Sequence, residues 1–121
     1  MTGGSTSSPG PGAIGHVQIH FAIDDADRAD AIVGSLLAGH LVACGQRSGP
    51  AVSRYWWKGS VEQAEEWLVV LKTRSALASR VIDAVVAGHP YETPAVVVLP
   101  ILTGAPAYLD WIDEVTAEAL G

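Results

Sequence analysis

The sequence predicts an α+β domain of the ferredoxin-like kind: a βαββαβ sandwich with a long central hairpin and a closing C-terminal helix. Three observations predict it. HVQIHFAI, residues 16–23, alternates with period two. Two later stretches carry apolar residues at helical spacing, one before and one after an aromatic-rich hairpin. The resulting order β, α, β, β, α, β is that of the split-βαβ arrangement, in which two helices cover one face of a sheet and leave the other open.

Each element has its local reason. Val17, Ile19, Phe21 and Ile23 share one strand face, and His16, Gln18, His20 and Ala22 share the other. Asp24 and Asp25 supply N-cap chemistry for a helix whose stripe is Ala26, Ala29, Ile32, Val33, Leu36 and Leu37, with Gly39 as its stop. His40, next to that stop, reads as a charge partner for the helix dipole. LVACGQR and AVSRYWW are extended segments expected to bend at Gly49-Pro50, and KGS turns the chain into EWLVVLKT. Ser75 is a cap candidate for a second helix with the stripe Leu77, Val81, Ile82, Val85 and Val86, closed by Gly88. AVVVLPI is the last strand, and PAYLDWIDEVTAEAL a helix with Pro106 in its first turn.

At 121 residues one domain is expected. The division is a Gly/Ser/Pro-rich tail, residues 1–15, expected to be disordered, and a single folded domain, residues 16–121. A hydrophobic share of 49% against 17% charged residues permits a substantial core. The net charge of -6 without a Lys/Arg cluster argues against nucleic acid as a partner. No apolar run reaches the roughly 20 residues of a membrane helix, so no membrane partner is expected. The single cysteine and the lack of a secretory pattern at the start predict a cytoplasmic protein.

Cys44 in LVACGQ, Tyr55 to Trp57 in YWWKG, Lys72 in LKTR and residues 89–94 in HPYETP follow one another at single-domain spacing. With the late GAPAYLDWI, this set resembles the CutA family of divalent-cation tolerance proteins over about residues 17–115. The resemblance implies a ferredoxin-like homotrimer, similar in build to PII-type signalling proteins, associated with metal tolerance and copper binding. It departs from the family pattern in three places. Gly45-Gln46 stands for Val-Asn, Lys58 for a glutamate, and Ala95 for another glutamate. The last two changes remove carboxylates.

The candidate metal ligands are Cys44, His89 and Glu92, for copper or another divalent ion; the candidate ligand-binding residues are Tyr55, Trp57, Lys72 and Tyr91. Cys44 reads either as a soft metal ligand or redox thiol, or as a small buried hydrophobe. His89 and Thr93 precede prolines, which favours extended backbone. In polyproline II, His89 and Glu92 would point the same way about 9 Å apart, lining one pocket more readily than closing one metal cage. Lys72 reads as snorkelling to solvent or holding an anion. Trp56 and Trp57 must face opposite sides of their strand, so one of them is expected to pack on a neighbouring subunit. No GxSxG, P-loop, HExxH or CxxC occurs, which makes a non-enzymatic binding trimer the first reading. An enzyme using a Cys44/His89 pair and a purely structural scaffold are the alternatives.

Overall fold

The protein's structure, a computed structural model, describes residues 14–121. Its elements are β1 (His16–Ile23), α1 (Ala26–Ala38), β2 (Cys44–Trp57), β3 (Ser60–Arg74), α2 (Ala78–Gly88), β4 (Val96–Ile101) and α3 (Pro106–Leu120). One four-stranded antiparallel sheet has the order β2-β3-β1-β4. This is the α+β, ferredoxin-like arrangement expected from the alternation of periods. Of the expected tail, residues 1–13 lie outside the described residues. Ile14 and Gly15 are held, because the Ser75 hydroxyl donates to the Ile14 carbonyl and the Ser75 amide to that of Gly15.

β1 alternates as its sequence dictates: Val17, Ile19, Phe21 and Ile23 are buried, and the residues between them are partly exposed. The buried set meets Ala29, Ile32 and Leu36 of α1, Val81 and Val85 of α2, and Val69 and Leu71 of β3 in one core. The buried stripes are narrower than the apolar patterns, since Leu37 and Val86 remain exposed. Asp25 caps α1, its Oδ1 accepting the Arg28 amide at 3.0 Å, and Gly39 closes that helix.

Several local expectations are corrected. Ser75 does not cap α2; a 3-10 turn over Ser75–Leu77 leads into the helix, and the hydroxyl is spent on Ile14. Gly88 is the last helical residue and not the cap, which is His89 in extended geometry. At Gly88 a side chain would stand 3.1 Å from Ile32 Cγ1, so smallness there serves the close approach of α1 and α2. His40 does not serve the α1 dipole. Its Nδ1 donates to the Val115 carbonyl at 3.0 Å, and Nε2 lies 3.2 Å from Glu118 Oε2, both on α3.

The face that α1 and α2 leave free is not fully open, because α3 lies across one end of it. His16 Nε2 is 2.8 Å from Asp113 Oδ1, and Arg74 donates to Thr116 Oγ1 at 2.9 Å and to the Asp113 carbonyl. Only Ile112 and Thr116 of α3 are buried. The stripe of α3 thus fixes which side packs, while ion pairs and hydrogen bonds fix where it packs.

β2 and β3 form the expected long hairpin. β2 continues through Gly49-Pro50, whose peptide bond is cis, and carries one extra residue between its Ser48↔Leu68 and Ala51↔Glu66 pairs. Such a bulge exchanges the faces of every later residue on the strand. Cys44, opposite Lys72, and Tyr55 and Trp57, opposite Glu62 and Ser60, therefore share the face away from α1 and α2. The hairpin closes through Lys58 and Gly59, both at positive φ.

Candidate functional site

A cleft of about 790 Å³ opens on that face, between the end of β1, the outer half of the hairpin and residues 91–95. Tyr55, Trp57, Glu66, Tyr91, Glu92 and Asp24 line it. Tyr55 and Trp57 reach it because the bulge sets their parity. Tyr91 reaches it because the chain bends at residues 91–93 instead of running extended through HPYETP. His89 itself has the extended backbone expected before proline, with φ -90° and ψ 137°. The bend follows from a local bond: the Tyr91 amide donates to His89 Nδ1 at 3.2 Å, an alternative to extended backbone.

Glu66 is the acidic residue that strand patterning did not single out. It is only 6% exposed, and its Oε2 accepts the Tyr91 hydroxyl at 2.8 Å. The available signal was the pair Glu65-Glu66: adjacent strand residues face opposite ways, so one of the two had to turn toward the cleft side. Burial first, then the bond to Glu66 and the negative charges of Glu66 and Asp24, hold the Tyr91 phenol well above its ordinary range. An unfolded tyrosine ionises near pH 10. A raised folded value therefore contributes stability that is full below about pH 10 and lost as pH rises through the folded value. Phenolate absorbance against pH is expected to show a late-ionising class that moves down in Glu66→Gln. It should not reach the ordinary value, because burial remains. A wild-type titration with every phenol ionising near pH 10 would contradict this.

The remaining sequence candidates lie elsewhere. His89 is buried, its Nε2 donating to the Ala22 carbonyl at 2.7 Å and its ring packed against Phe21 and Tyr91 at 6.1 and 4.5 Å between centroids. Both ring nitrogens are thus engaged. Cys44 lies toward the other end of the sheet, Sγ 3.7 Å from the Tyr108 hydroxyl. Lys72 holds its ammonium 5.8 Å from the centroid of the Tyr108 ring, a cation–π contact that neither reading of this lysine had included. Tyr108 stacks on Trp111, and burial, then its bond to Cys44, push its phenol up to about 12.

Cys44 and His89 are not neighbours within one chain. Ala22, which holds His89, pairs with Leu68, whereas Cys44 pairs with Lys72, four residues along β3. At about 3.3 Å per residue that is roughly 13 Å along the strand. His89 also packs on Phe21, on the helix-covered face, and Cys44 is on the other. Glu92 is exposed and pairs with Lys58 at 3.6 Å. Among the described residues, no three His, Cys, Asp or Glu side chains are gathered as ligands of a cation. The trio Cys44, His89 and Glu92 therefore does not fit a metal ion within a single chain. Tyr55, Trp57, Tyr91 and Glu92, in contrast, meet at one cleft, which Lys72 does not line. No helix among the described residues is long and apolar enough to cross a membrane.

Residues 17–115 match the CutA1 divalent ion tolerance protein family. The divalent-cation tolerance protein CutA of Archaeoglobus fulgidus is 38% identical over 99 residues, which are 82% of this chain and 96% of that protein. The solved structure of the periplasmic divalent cation tolerance protein CutA from the same organism has a TM-score of 0.81, covering 84% of this chain and 98% of that one. CutA1 from Oryza sativa, 29% identical, also has a TM-score of 0.81, with 84% and 94% covered. The match extends over most of the folded domain and includes every motif from LVACGQ to HPYETP, so the chain belongs to the CutA1 family of divalent ion tolerance proteins.

Proposed function

We propose that this chain is a non-enzymatic, homotrimeric divalent-cation tolerance protein that binds copper, another divalent ion or a small ligand in an intersubunit pocket. The observation that carries the reading is the convergence of Tyr55, Trp57, Tyr91 and Glu92 on one cleft beside exposed rings. Since Cys44 and His89 lie apart in one chain and both His89 ring nitrogens are bonded, joint ligation by Cys44, His89 and Glu92 requires donors from more than one subunit and the release of one His89 bond. Titration of tagless protein with Cu(I) and Cu(II) tests this: Cys44→Ser and His89→Ala are each expected to weaken binding. Equal, weak binding by wild type and both variants would remove the metal ligands from the reading. The same reading keeps the protein in the cytoplasm, although the Archaeoglobus relative is described as periplasmic. Cell fractionation distinguishes the two.

Assembly rests on surface that one subunit leaves uncovered. Trp56 is 75% exposed, and Tyr55, Trp57, Val52 and Val61 are exposed on the same hairpin. A covered aromatic ring buries on the order of 150–250 Å², and at about 25 cal/mol per Å² two such rings left in water cost several kcal/mol. Light scattering is expected to report a homotrimer, with Trp56→Ala and Trp57→Ala each dissociating more readily. A stable wild-type monomer at micromolar concentration would defeat both the trimer and the intersubunit pocket.

A further inference from the structure

The turn at the tip of the hairpin carries an anomaly. A two-residue hairpin turn with positive φ at both positions favours Asn-Gly or Asp-Gly, yet this chain has Lys58, at φ 50°, before Gly59. A long side chain in left-handed backbone is strained, and such strain concentrates where a side chain is being placed. Here it places an ammonium at the mouth of the cleft. Lys58 Nζ lies 5.4 Å from the centroid of the Trp57 ring and 3.6 Å from Glu92 Oε2. An aromatic face plus a carboxylate is the recognition chemistry of an organic cation.

The cleft beyond that seat has the same chemistry. Glu66 is buried, lines the cleft and gives one oxygen to the Tyr91 hydroxyl. Its other oxygen makes no hydrogen bond among the described residues. Asp24 lines the same space, and Tyr55 and Tyr91 add aromatic faces. Arg54 also lines the cleft, its Nε donating to Gln63 Oε1 at 3.0 Å, but the three lining carboxylates of Asp24, Glu66 and Glu92 outnumber it. A buried carboxylate with a free oxygen calls for a donor that carries positive charge. A weakly hydrated ammonium with an alkyl body suits such aromatic walls.

We propose that the cleft binds a small alkylammonium ligand with its ammonium on Glu66 and its alkyl body against the aromatic walls, and that the Lys58 ammonium, held at the mouth by Trp57 and Glu92, opposes it as a charge of the same sign. This rests on the cleft being the ligand pocket of the preceding reading and names the ligand class. Lys58 and Glu92 are both about 70% exposed, so their pairing is weak and readily exchanged.

The test follows tryptophan fluorescence of the full chain titrated with n-butylammonium chloride, against sodium chloride at matched ionic strength. A saturable response to the amine alone is expected. Lys58→Asn, which suits the turn and removes a like charge from the mouth, is expected to tighten binding about threefold, the scale of an exposed charge interaction. Glu66→Gln is expected to weaken it about tenfold or more, the scale of a charge-assisted hydrogen bond, with its fold checked by circular dichroism. No saturable response in wild type or Lys58→Asn, or a response reproduced by sodium chloride, overturns the proposal. So does unchanged binding in folded Glu66→Gln; if that variant does not fold, Lys58→Asn decides alone. Copper(II) titrated on the same samples separates the two readings. Copper binding without an amine response ends this inference and leaves the metal reading standing, and an amine response without copper binding does the reverse.

Discussion

Ile19→Ala is expected to destabilise the protein by about 2–5 kcal/mol, the range for truncating a large aliphatic side chain in a packed core. Ile19 is fully buried and sits mid-strand in β1, opposite Leu71 on one side and Val98 on the other. Strand pairing on both flanks prevents the backbone from collapsing into the cavity, which favours the upper part of the range. Ile19→Val, which removes one methylene, is expected to cost only about 0.5–1.5 kcal/mol. Denaturant unfolding monitored by tryptophan fluorescence measures both. Equal, small losses would mean that the core is not organised around β1.

Gly49→Ala is expected to cost about 2–4 kcal/mol, from backbone strain together with overpacking. Gly49 has φ 130°, a conformation that side-chain-bearing residues avoid. An added Cβ would stand 3.0 Å from the Glu66 carbonyl oxygen, 3.1 Å from the Ala51 nitrogen and 3.3 Å from Trp67 Cα. All three are backbone atoms, so no rotamer change relieves the contact. Gly59 is the matched control: its φ is 87°, but an added Cβ meets nothing within 4 Å. Gly59→Ala therefore carries the conformational term alone, about 1 kcal/mol. If the two alanines cost the same in thermal unfolding, the steric part of the argument fails. Because the clash is with Glu66, Gly49→Ala is also expected to disturb the Tyr91–Glu66 bond.

Much of this fold was legible in the sequence because periodicity reports burial directly. HVQIHFAI could bury only one face, and the helical stripes could cover only that face. What remained hidden depended on relations between distant residues. Amphipathicity shows that α3 buries one side, but nothing in sequence order says that Asp113 meets His16. Likewise the spacing of Cys44 and His89 carries no information about which sheet face each occupies. The cleft was half legible. HPYETP and YWWKG marked its walls, yet simple alternation from Cys44 would set Tyr55 and Trp57 on the opposite face. The extra residue between Ser48 and Ala51 reverses that count. Gly49-Pro50 marked a bend there, but not the exchange of faces that comes with it.

The way α3 is fastened sets a hierarchy of local opening. Five side chains, His16, His40, Cys44, Arg74 and Arg80, bond to α3 from the rest of the domain, and two residues of the helix are buried. Detaching the helix exposes little apolar surface, whereas separating β1 from its two neighbours opens the whole core. Amide hydrogens of α3 are therefore expected to exchange through an opening that exposes little surface and responds weakly to denaturant, while those of β1 wait for global unfolding. The helix that closes the chain is thus the segment that fluctuates away first, independently of the sheet it lies on.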